Sequence, residues 1–148
     1  MSDSKKKKLT ASLEDYLEAI LFLVKQNRVA RVRDIAERSG VRMSSVTGAL
    51  RSLADKGLVN YAPYRVVTLT AAGRRAAREL VRRHEALRRF FSEALGVDGE
   101  AAERNACHVE HAIEPDVLDR LAAFSEETAA RKNGARRRSR RTKACRTK

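Results

Sequence analysis

The chain has 148 residues, enough for one domain or for a small domain with an accessory segment. Hydrophobic residues make up 43% of it, and no apolar run approaches the ~18 residues that would cross a membrane. Two cysteines exclude a disulfide framework and no apolar signal-peptide core follows Met1, so we expect a protein of the reducing cytoplasm.

The net charge of +13 is distributed unevenly along the chain. Residues 1–8 carry four lysines and one aspartate, and residues 131–148 carry ten basic residues and no acid. Residues 28–75 have ten basic and three acidic side chains, whereas residues 76–130 have seven basic and twelve acidic ones. The charge of residues 28–75 is suited to binding a polyanion, and the charge of residues 76–130 is suited to binding cations.

The elements predicted for the first half follow the order of a winged helix-turn-helix domain. After a basic, disordered arm at 1–8, a helix begins with Ser12 as its N-cap. Apolar residues available for the small core of this domain are Ile35, Ala36, Val41, Val46, Leu50 and Leu53. The remaining predicted elements are a helix at Val32–Ser39, a turn at Gly40-Val41, a helix near Met43–Lys56, and a two-stranded hairpin within Leu58–Thr70.

The second of the two short helices is the expected recognition helix for DNA. Hydroxyl side chains near a helix N-terminus suit phosphate or base-edge contacts, and arginine suits guanine or phosphate. An arginine at the tip of the hairpin could reach a phosphate or the minor groove. The candidate DNA-binding residues are Arg33, Arg42, Ser44, Ser45, Thr47, Arg51 and Arg65.

The second half is predicted to be helical. A long helix covers about Ala72–Leu95 and ends at Gly96, and shorter helices lie near Ala101–Ile113 and Pro115–Glu127. The end of the chain has too few apolar residues to fold alone, so 129–148 is predicted to be a disordered basic tail. We expect this tail to contact DNA phosphates without regard to sequence.

A group of potential metal ligands lies within this half. Cys107, Glu110 and His111 are three or four residues apart, so a helix projects them from one face. Further donors are Asp15 and Glu18 on the first helix and His84 on the long helix. Thiolate, imidazole and carboxylate are ligands that borderline divalent metals take.

Each of these residues also has a simpler interpretation. His84 could be a core histidine with satisfied hydrogen bonds, and Cys107 could be a small buried hydrophobe. Asp15 and Glu18 could be first-turn acids favoured by the helix dipole. A catalytic pair of Cys107 and His111 is disfavoured because no oxyanion donors, orienting third group or substrate pocket can be identified, and we expect no enzyme and no small organic substrate.

Five stretches together resemble the diphtheria-toxin repressor family of metal-dependent regulators. In chain order they are TASLEDYLEAILFL, VRDIAERSGVRMSSVTGALRSLADKGLV, YRVVTLTAAGRR, VRRHEAL and ACHVEH. Members of that family are homodimers whose winged-helix domains bind a palindromic operator and whose later helices form the dimer interface. The short chain is similar to the manganese transport regulator branch.

The resemblance implies a ligand set and a cofactor. Asp15 and Glu18 match the first-helix ligands, His84 matches the ligand on the long helix, and Glu110 and His111 match the closing pair. Cys107 stands where the manganese branch usually has glutamate and the iron branch has cysteine. The implied metal is Mn²⁺ or Fe²⁺, and the thiolate also admits Zn²⁺ or Co²⁺.

The sequence therefore predicts a mainly α protein with a winged helix-turn-helix domain at 9–73 and a helical metal-binding and dimerisation domain at 74–128. Its predicted function is metal-dependent repression of metal-ion uptake genes. Two alternatives stay open: a winged-helix regulator that needs no metal, and a basic nucleoid-type protein that binds DNA of any sequence.

Overall fold

The structure, a computed structural model, describes residues 9–27 and 29–144, and it divides into two compact units between Val81 and Arg82. The predicted arm at 1–8 and the last four residues of the predicted tail lie outside the described residues. Within the described ranges, no helix combines the length and the apolar character that crossing a bilayer requires.

The first unit has the predicted winged helix-turn-helix order. Its strands pair antiparallel, with Val59 opposite Leu69 and Asn60 opposite Thr68, and Ala30 adds an isolated bridge to Val67. The elements are α1 (Ala11–Asn27), α2 (Val32–Ser39), α3 (Met43–Asp55), β1 (Val59–Asn60), β2 (Thr68–Leu69) and the beginning of α4 (Ala71–Arg89).

The start of α1 differs from the prediction. Thr10 rather than Ser12 precedes the helix, and its Oγ1 accepts a hydrogen bond from the backbone N–H of Leu13 at 3.4 Å. Ser12 lies inside the first turn. Serine and threonine are both favoured N-cap residues, so N-cap preference alone does not distinguish Ser12 from Thr10. The predicted N-cap is therefore two residues too late.

The turn between α2 and α3 depends on Gly40, whose φ of 65° is left-handed. The next backbone N–H, that of Val41, donates to the carbonyl of Ala36 at 3.1 Å and closes the end of α2. This geometry leaves Val41 39% exposed, so its predicted place in the core is wrong. The other five predicted core residues are buried.

A close backbone contact fixes the wing against the start of α4. Thr70 Oγ1 donates to the carbonyl of Gly57 at 2.7 Å and accepts from the N–H of Gly73 at 3.0 Å. A Cβ added at Gly73 would lie 1.8 Å from the carbonyl oxygen of Leu58, so only glycine fits there. The hairpin is thereby held at a defined position beside α3.

The second unit is helical. From Arg82 it contains the rest of α4, a π-helical turn at Phe90–Ala94, α5 (Gly99–Val109) and α6 (Pro115–Ala144). The carboxylate of Asp98 caps α5 by accepting from two backbone N–H groups, those of Glu100 and Ala101. Leu87, Ala106 and Leu118 are fully buried at the centre, where α4, α5 and α6 pack together.

The last helix is longer than the sequence predicts. We expected it to end near Glu127 and 129–148 to be disordered, but α6 continues to Ala144. Alanine, arginine and lysine have high helix propensity, and Lys132 Nζ donates to the carbonyl of Glu93 at 2.5 Å. A prediction based on apolar content accounts for neither effect.

Candidate metal centre and nucleic-acid interface

The wing and the recognition helix α3 border a groove of about 690 Å³ in the first unit. Four of its lining residues are arginines, and no acidic side chain is among the described residues that line it. The lining residues are Arg31, Val32, Arg33, Met43, Thr47, Arg51, Tyr61, Pro63, Tyr64, Arg65 and Val66. Its charge and shape suit an extended polyanion.

Four of the seven predicted DNA-binding residues meet in this groove, namely Arg33, Thr47, Arg51 and Arg65. The other three, Arg42, Ser44 and Ser45, are exposed at the start of α3 but do not line it. The hydroxyl of Thr47 donates to the carbonyl of Met43 at 2.9 Å, and the lone pairs of its oxygen can still accept a hydrogen bond.

The groove also contains residues that the sequence did not indicate, among them Arg31 and Tyr64. Arg31 is the residue before α2, where only the geometry of the turn brings it to the groove. Tyr64 is at the tip of the wing, fully exposed, with a left-handed φ of 63°. A non-glycine residue there carries roughly 1–2 kcal/mol of strain, a feature that is common at functional sites.

The second unit gathers its titratable side chains around His84. The imidazole of His84 on α4 faces Glu103 and Cys107, one turn apart on α5, and Glu110, the C-cap residue of α5. His84 Nδ1–H donates to Glu110 Oε2 at 2.8 Å, and Nε2–H donates to Glu103 Oε1 at 2.9 Å. The sulfur of Cys107 lies 3.9 Å from Nδ1, on the same side as Glu110.

Glu110 is the central acid of this cluster. It is only 1% exposed, and its two carboxylate oxygens contact two histidines. Oε2 accepts from His84, and Oε1 lies 3.4 Å from Nε2 of the half-buried His111. A buried carboxylate requires such partners because desolvation of an unpaired charge is costly.

These carboxylates control the protonation of His84. The hydrogen bond to Glu110 is the largest cause of a rise in the pKa of His84 from 6.5 to about 9, and the charges of Glu110 and Glu103 add to it. Burial opposes the rise but does not cancel it. At neutral pH His84 is therefore an imidazolium that links two acids.

The cluster also has the donor set of a divalent-metal site. Ligand atoms of His84, Cys107 and Glu110 all lie within 4.8 Å of one another. One imidazole nitrogen, one sulfur and one carboxylate oxygen around a common point suit a borderline divalent ion. Among the residues described, these three therefore fit a metal, although binding requires that His84 give up its proton at Nδ1.

The other predicted ligands are placed as follows. His111 is next to Glu110, whereas Asp15 and Glu18 belong to the first unit, on α1, where Asp15 is exposed and Glu18 is half-buried. Cys107 is exposed, so its interpretation as a small buried hydrophobe is wrong. Glu103 was missed as a member of the cluster, although its place one turn before Cys107 was a usable signal.

Comparison with known proteins identifies the two halves of the chain separately. Residues 8–67 match the model for the N-terminal DNA-binding domain of the iron-dependent repressors. Residues 70–136 match the model for the metal-binding and dimerisation domain of the same proteins. The chain belongs to the iron-dependent repressor family.

Individual relatives support the same assignment. The HTH-type transcriptional regulator MntR of Bacillus subtilis is 38% identical over 126 residues, 83% of this chain and 88% of the relative. An HTH-type regulator of Methanocaldococcus jannaschii is 37% identical over 120 residues, 80% of this chain and 96% of the relative. A manganese-dependent transcriptional repressor solved with manganese matches with a TM-score of 0.71 and 34% identity, covering 77% of this chain and 52% of that one.

These matches confirm the resemblance to the diphtheria-toxin repressor family and its manganese-regulator branch. They also confirm the fold class, a winged helix-turn-helix domain followed by a helical dimerisation domain. Because the family and its members are transcriptional regulators, the chain is not an enzyme. The chain spans about half the length of the matched manganese-dependent repressor.

Proposed function

We propose that this chain is a cytoplasmic, homodimeric repressor that binds a palindromic operator when its cluster holds a divalent metal ion. We further propose that it controls genes of metal-ion uptake. The observation that carries the proposal is the convergence of His84, Cys107 and Glu110 in the second unit of a chain whose first unit has an arginine-lined groove.

The proposed ligands are His84, Cys107, Glu110 and His111, together with Asp15 and Glu18 on α1. A bound divalent cation would supply positive charge that these carboxylates share. Without it, Glu110 holds the imidazolium of His84. Glu110 and His84 would hold the ion in place of their mutual hydrogen bond, with the Nδ1 proton released to solvent, and conformations competent for DNA would be favoured by a population shift.

The proposed physiological ion is Mn²⁺ or Fe²⁺. The thiolate of Cys107 favours Fe²⁺, Co²⁺ or Zn²⁺ over the harder Mn²⁺. The carboxylates of Asp15, Glu18 and Glu110 favour the harder ions. This mixed donor set supports a site that binds several divalent metals with different affinities.

The test is DNA binding by the full chain, using a sequence that the metal-loaded protein selects from a random pool. Binding is titrated with Mn²⁺, anaerobic Fe²⁺, Co²⁺ and Zn²⁺, and repeated with a chelator. We expect binding at least ~10-fold tighter with the activating metal than with chelator, a factor within the usual range of allosteric coupling. Equal binding with chelator would contradict the proposal and favour a metal-independent regulator, and a pool that yields no preferred sequence would favour a nucleoid-type protein.

A further inference from the structure

Glu103 occupies a position in the cluster that the proposed ligand set does not explain. Its Oε1 lies 2.9 Å from Nε2 of His84, while Glu110 and Cys107 both lie on the Nδ1 side of the same ring. The two ring nitrogens point away from each other. Nδ1, Cys107 and Glu110 would therefore hold a metal ion on the side of the imidazole opposite Glu103.

We infer that Glu103 is a positioning residue that orients His84 for metal binding without itself being a ligand of that ion. The inference rests on the proposed function and assigns a role within the same site. A neutral imidazole keeps one N–H, and a carboxylate can only accept a hydrogen bond. Once an ion takes the place of the proton that Nδ1 shares with Glu110, the hydrogen bond to Glu103 would keep the remaining N–H on Nε2 and leave the lone pair on Nδ1, the atom that faces Cys107 and Glu110.

The placement of Glu103 on α5 supports this role. Glu103 and Cys107 lie one turn apart on the same face of α5, and Glu110 is the C-cap residue of that helix, so Glu103 is held in register with both proposed ligands. Its side chain is 53% exposed, which indicates that its removal leaves little unsatisfied in the core. Carboxylates that bind the second nitrogen of a metal-ligating histidine typically change metal affinity by ~10–100-fold.

The experiment compares Glu103→Ala and Glu103→Gln with the wild-type chain. Glu100→Ala is the matched control, since Glu100 lies on the same helix and pairs with Arg104 instead of a histidine. Co²⁺ affinity and stoichiometry are measured without DNA, and the thiolate-to-cobalt absorption band reports whether Cys107 is bound. Thermal unfolding of the metal-free variants checks that the fold is kept.

We expect Glu103→Ala to weaken Co²⁺ binding ~10–100-fold. The number of ions bound, the cobalt absorption band at saturation and the unfolding midpoint of the metal-free protein should all stay as in wild type. Glu103→Gln should recover part of the loss, because its amide oxygen still accepts from Nε2–H. Three results would overturn the inference: a loss no larger than that of Glu100→Ala, a Gln variant as weak as the Ala variant, or the loss of one bound ion per chain. If the wild-type chain binds no Co²⁺, the proposed function fails instead, so the two failures are distinguishable.

Discussion

The two units contain sites of opposite electrostatic character. The groove of the first unit is lined by Arg31, Arg33, Arg51 and Arg65, with no acid among its described lining residues. In the second unit, His84 already bonds to Glu103 and Glu110. The groove can therefore attract a polyanion without breaking an internal bond, whereas the cluster must exchange the His84–Glu110 hydrogen bond and its proton for an ion.

This difference assigns separate tasks to the two sites. General attraction to DNA belongs to the groove and should persist without metal, because exposed arginines stay charged at every physiological pH. We assign regulation to the cluster, because the hydrogen bond between His84 and Glu110 competes with metal binding. Substitutions in the cluster should accordingly change metal affinity measured without DNA, and substitutions in the groove should change DNA affinity measured in chelator.

The largest expected effect is that of Glu110→Gln. This variant keeps the side-chain volume but removes the charge of the proposed ligand, which also contacts His84 and His111. Metal affinity should fall by more than the ~10–100-fold typical of an outer-shell partner, while DNA binding in chelator stays as in wild type. Isothermal titration calorimetry with Co²⁺ measures the metal affinity, and fluorescence anisotropy measures DNA binding in chelator.

Glu100→Gln is the control, since Glu100 is an exposed acid on the same helix. Metal affinities that agree between the two variants would contradict the assignment of Glu110 as a ligand.

Metal affinity should also depend steeply on pH. Because the pKa of His84 is about 9, the ion must displace its proton at neutral pH. This group alone should weaken binding by about tenfold for each unit by which the pH falls below that pKa. Co²⁺ titrations at several pH values, for wild type and His84→Ala, measure the slope, which should be shallower by about one proton in the variant.

The stability of the metal-free protein should depend on pH in the opposite sense to metal affinity, and should fall as the pH rises. The pKa of His84 is raised above its unfolded value of 6.5, so its stabilisation is full below pH 6.5 and is lost as the pH rises through about 9. Urea unfolding of wild type and His84→Ala should therefore differ more at about pH 6 than at about pH 10. A difference that does not change with pH would contradict the ion pair.

Removal of residues 136–148 tests whether the end of the chain contributes to the general attraction. This segment has eight lysines and arginines, and its removal retains the contact of Lys132 with Glu93. The slope of log K against log salt should become shallower by about 0.9 for each phosphate that the shortened chain no longer neutralises, with sequence preference and metal response unchanged. An unchanged slope would show that these residues do not contact DNA.

A smaller effect is expected from Arg51→Ala in the groove. Loss of this side chain should weaken DNA binding by roughly 1–3 kcal/mol, both with metal and with chelator, and leave Co²⁺ affinity unaltered. The control is Lys25→Ala, an exposed cation of the same unit on α1. If Arg51→Ala weakened DNA binding only in the presence of metal, the assignment of general DNA attraction to the groove would be wrong.

The smallest effect concerns Gly48 in the middle of α3. It is exposed, and a Cβ added there would meet nothing within 4 Å, so no contact within the described chain requires glycine. Gly48→Ala should raise the free energy of unfolding by about 1 kcal/mol and yet weaken DNA binding, because the added methyl group stands on the recognition face. Ser52→Ala, one turn later, controls for helix propensity, and DNA affinity as high as wild type in Gly48→Ala would contradict this account.

The sequence predicted what depends on spacing within one element. The bounds of α2 and a hairpin within Leu58–Thr70 follow from helix and strand periodicity. The predicted helix near Ala101–Ile113 ends earlier, at Val109, so Glu110 is its C-cap residue and His111 lies beyond it. Thr10 and Ser12 are chemically similar, so the start of α1 could not be resolved in this way. The end of α6 was missed because apolar content says little about a helix rich in alanine and arginine.

Relations between elements could not be predicted from spacing. The sequence offered His84 as a candidate ligand, but the contact with Glu103 depends on how α4 packs against α5. Arg31 and Tyr64 reach the groove through the turn before α2 and the left-handed tip of the wing. Such geometry arises from packing and strain, which no local residue pattern records.

The central claim is that metal bound at the cluster of the second unit strengthens DNA binding at the groove of the first unit. Thermodynamic reciprocity requires that DNA strengthen metal binding by the same factor. The most direct measurement is therefore Co²⁺ affinity of the wild-type chain with and without saturating selected DNA. We predict that DNA raises Co²⁺ affinity and that the factors for all ions bound to one dimer multiply to the factor, at least ~10-fold, by which saturating Co²⁺ raises DNA affinity. Identical Co²⁺ affinities with and without DNA would contradict the account.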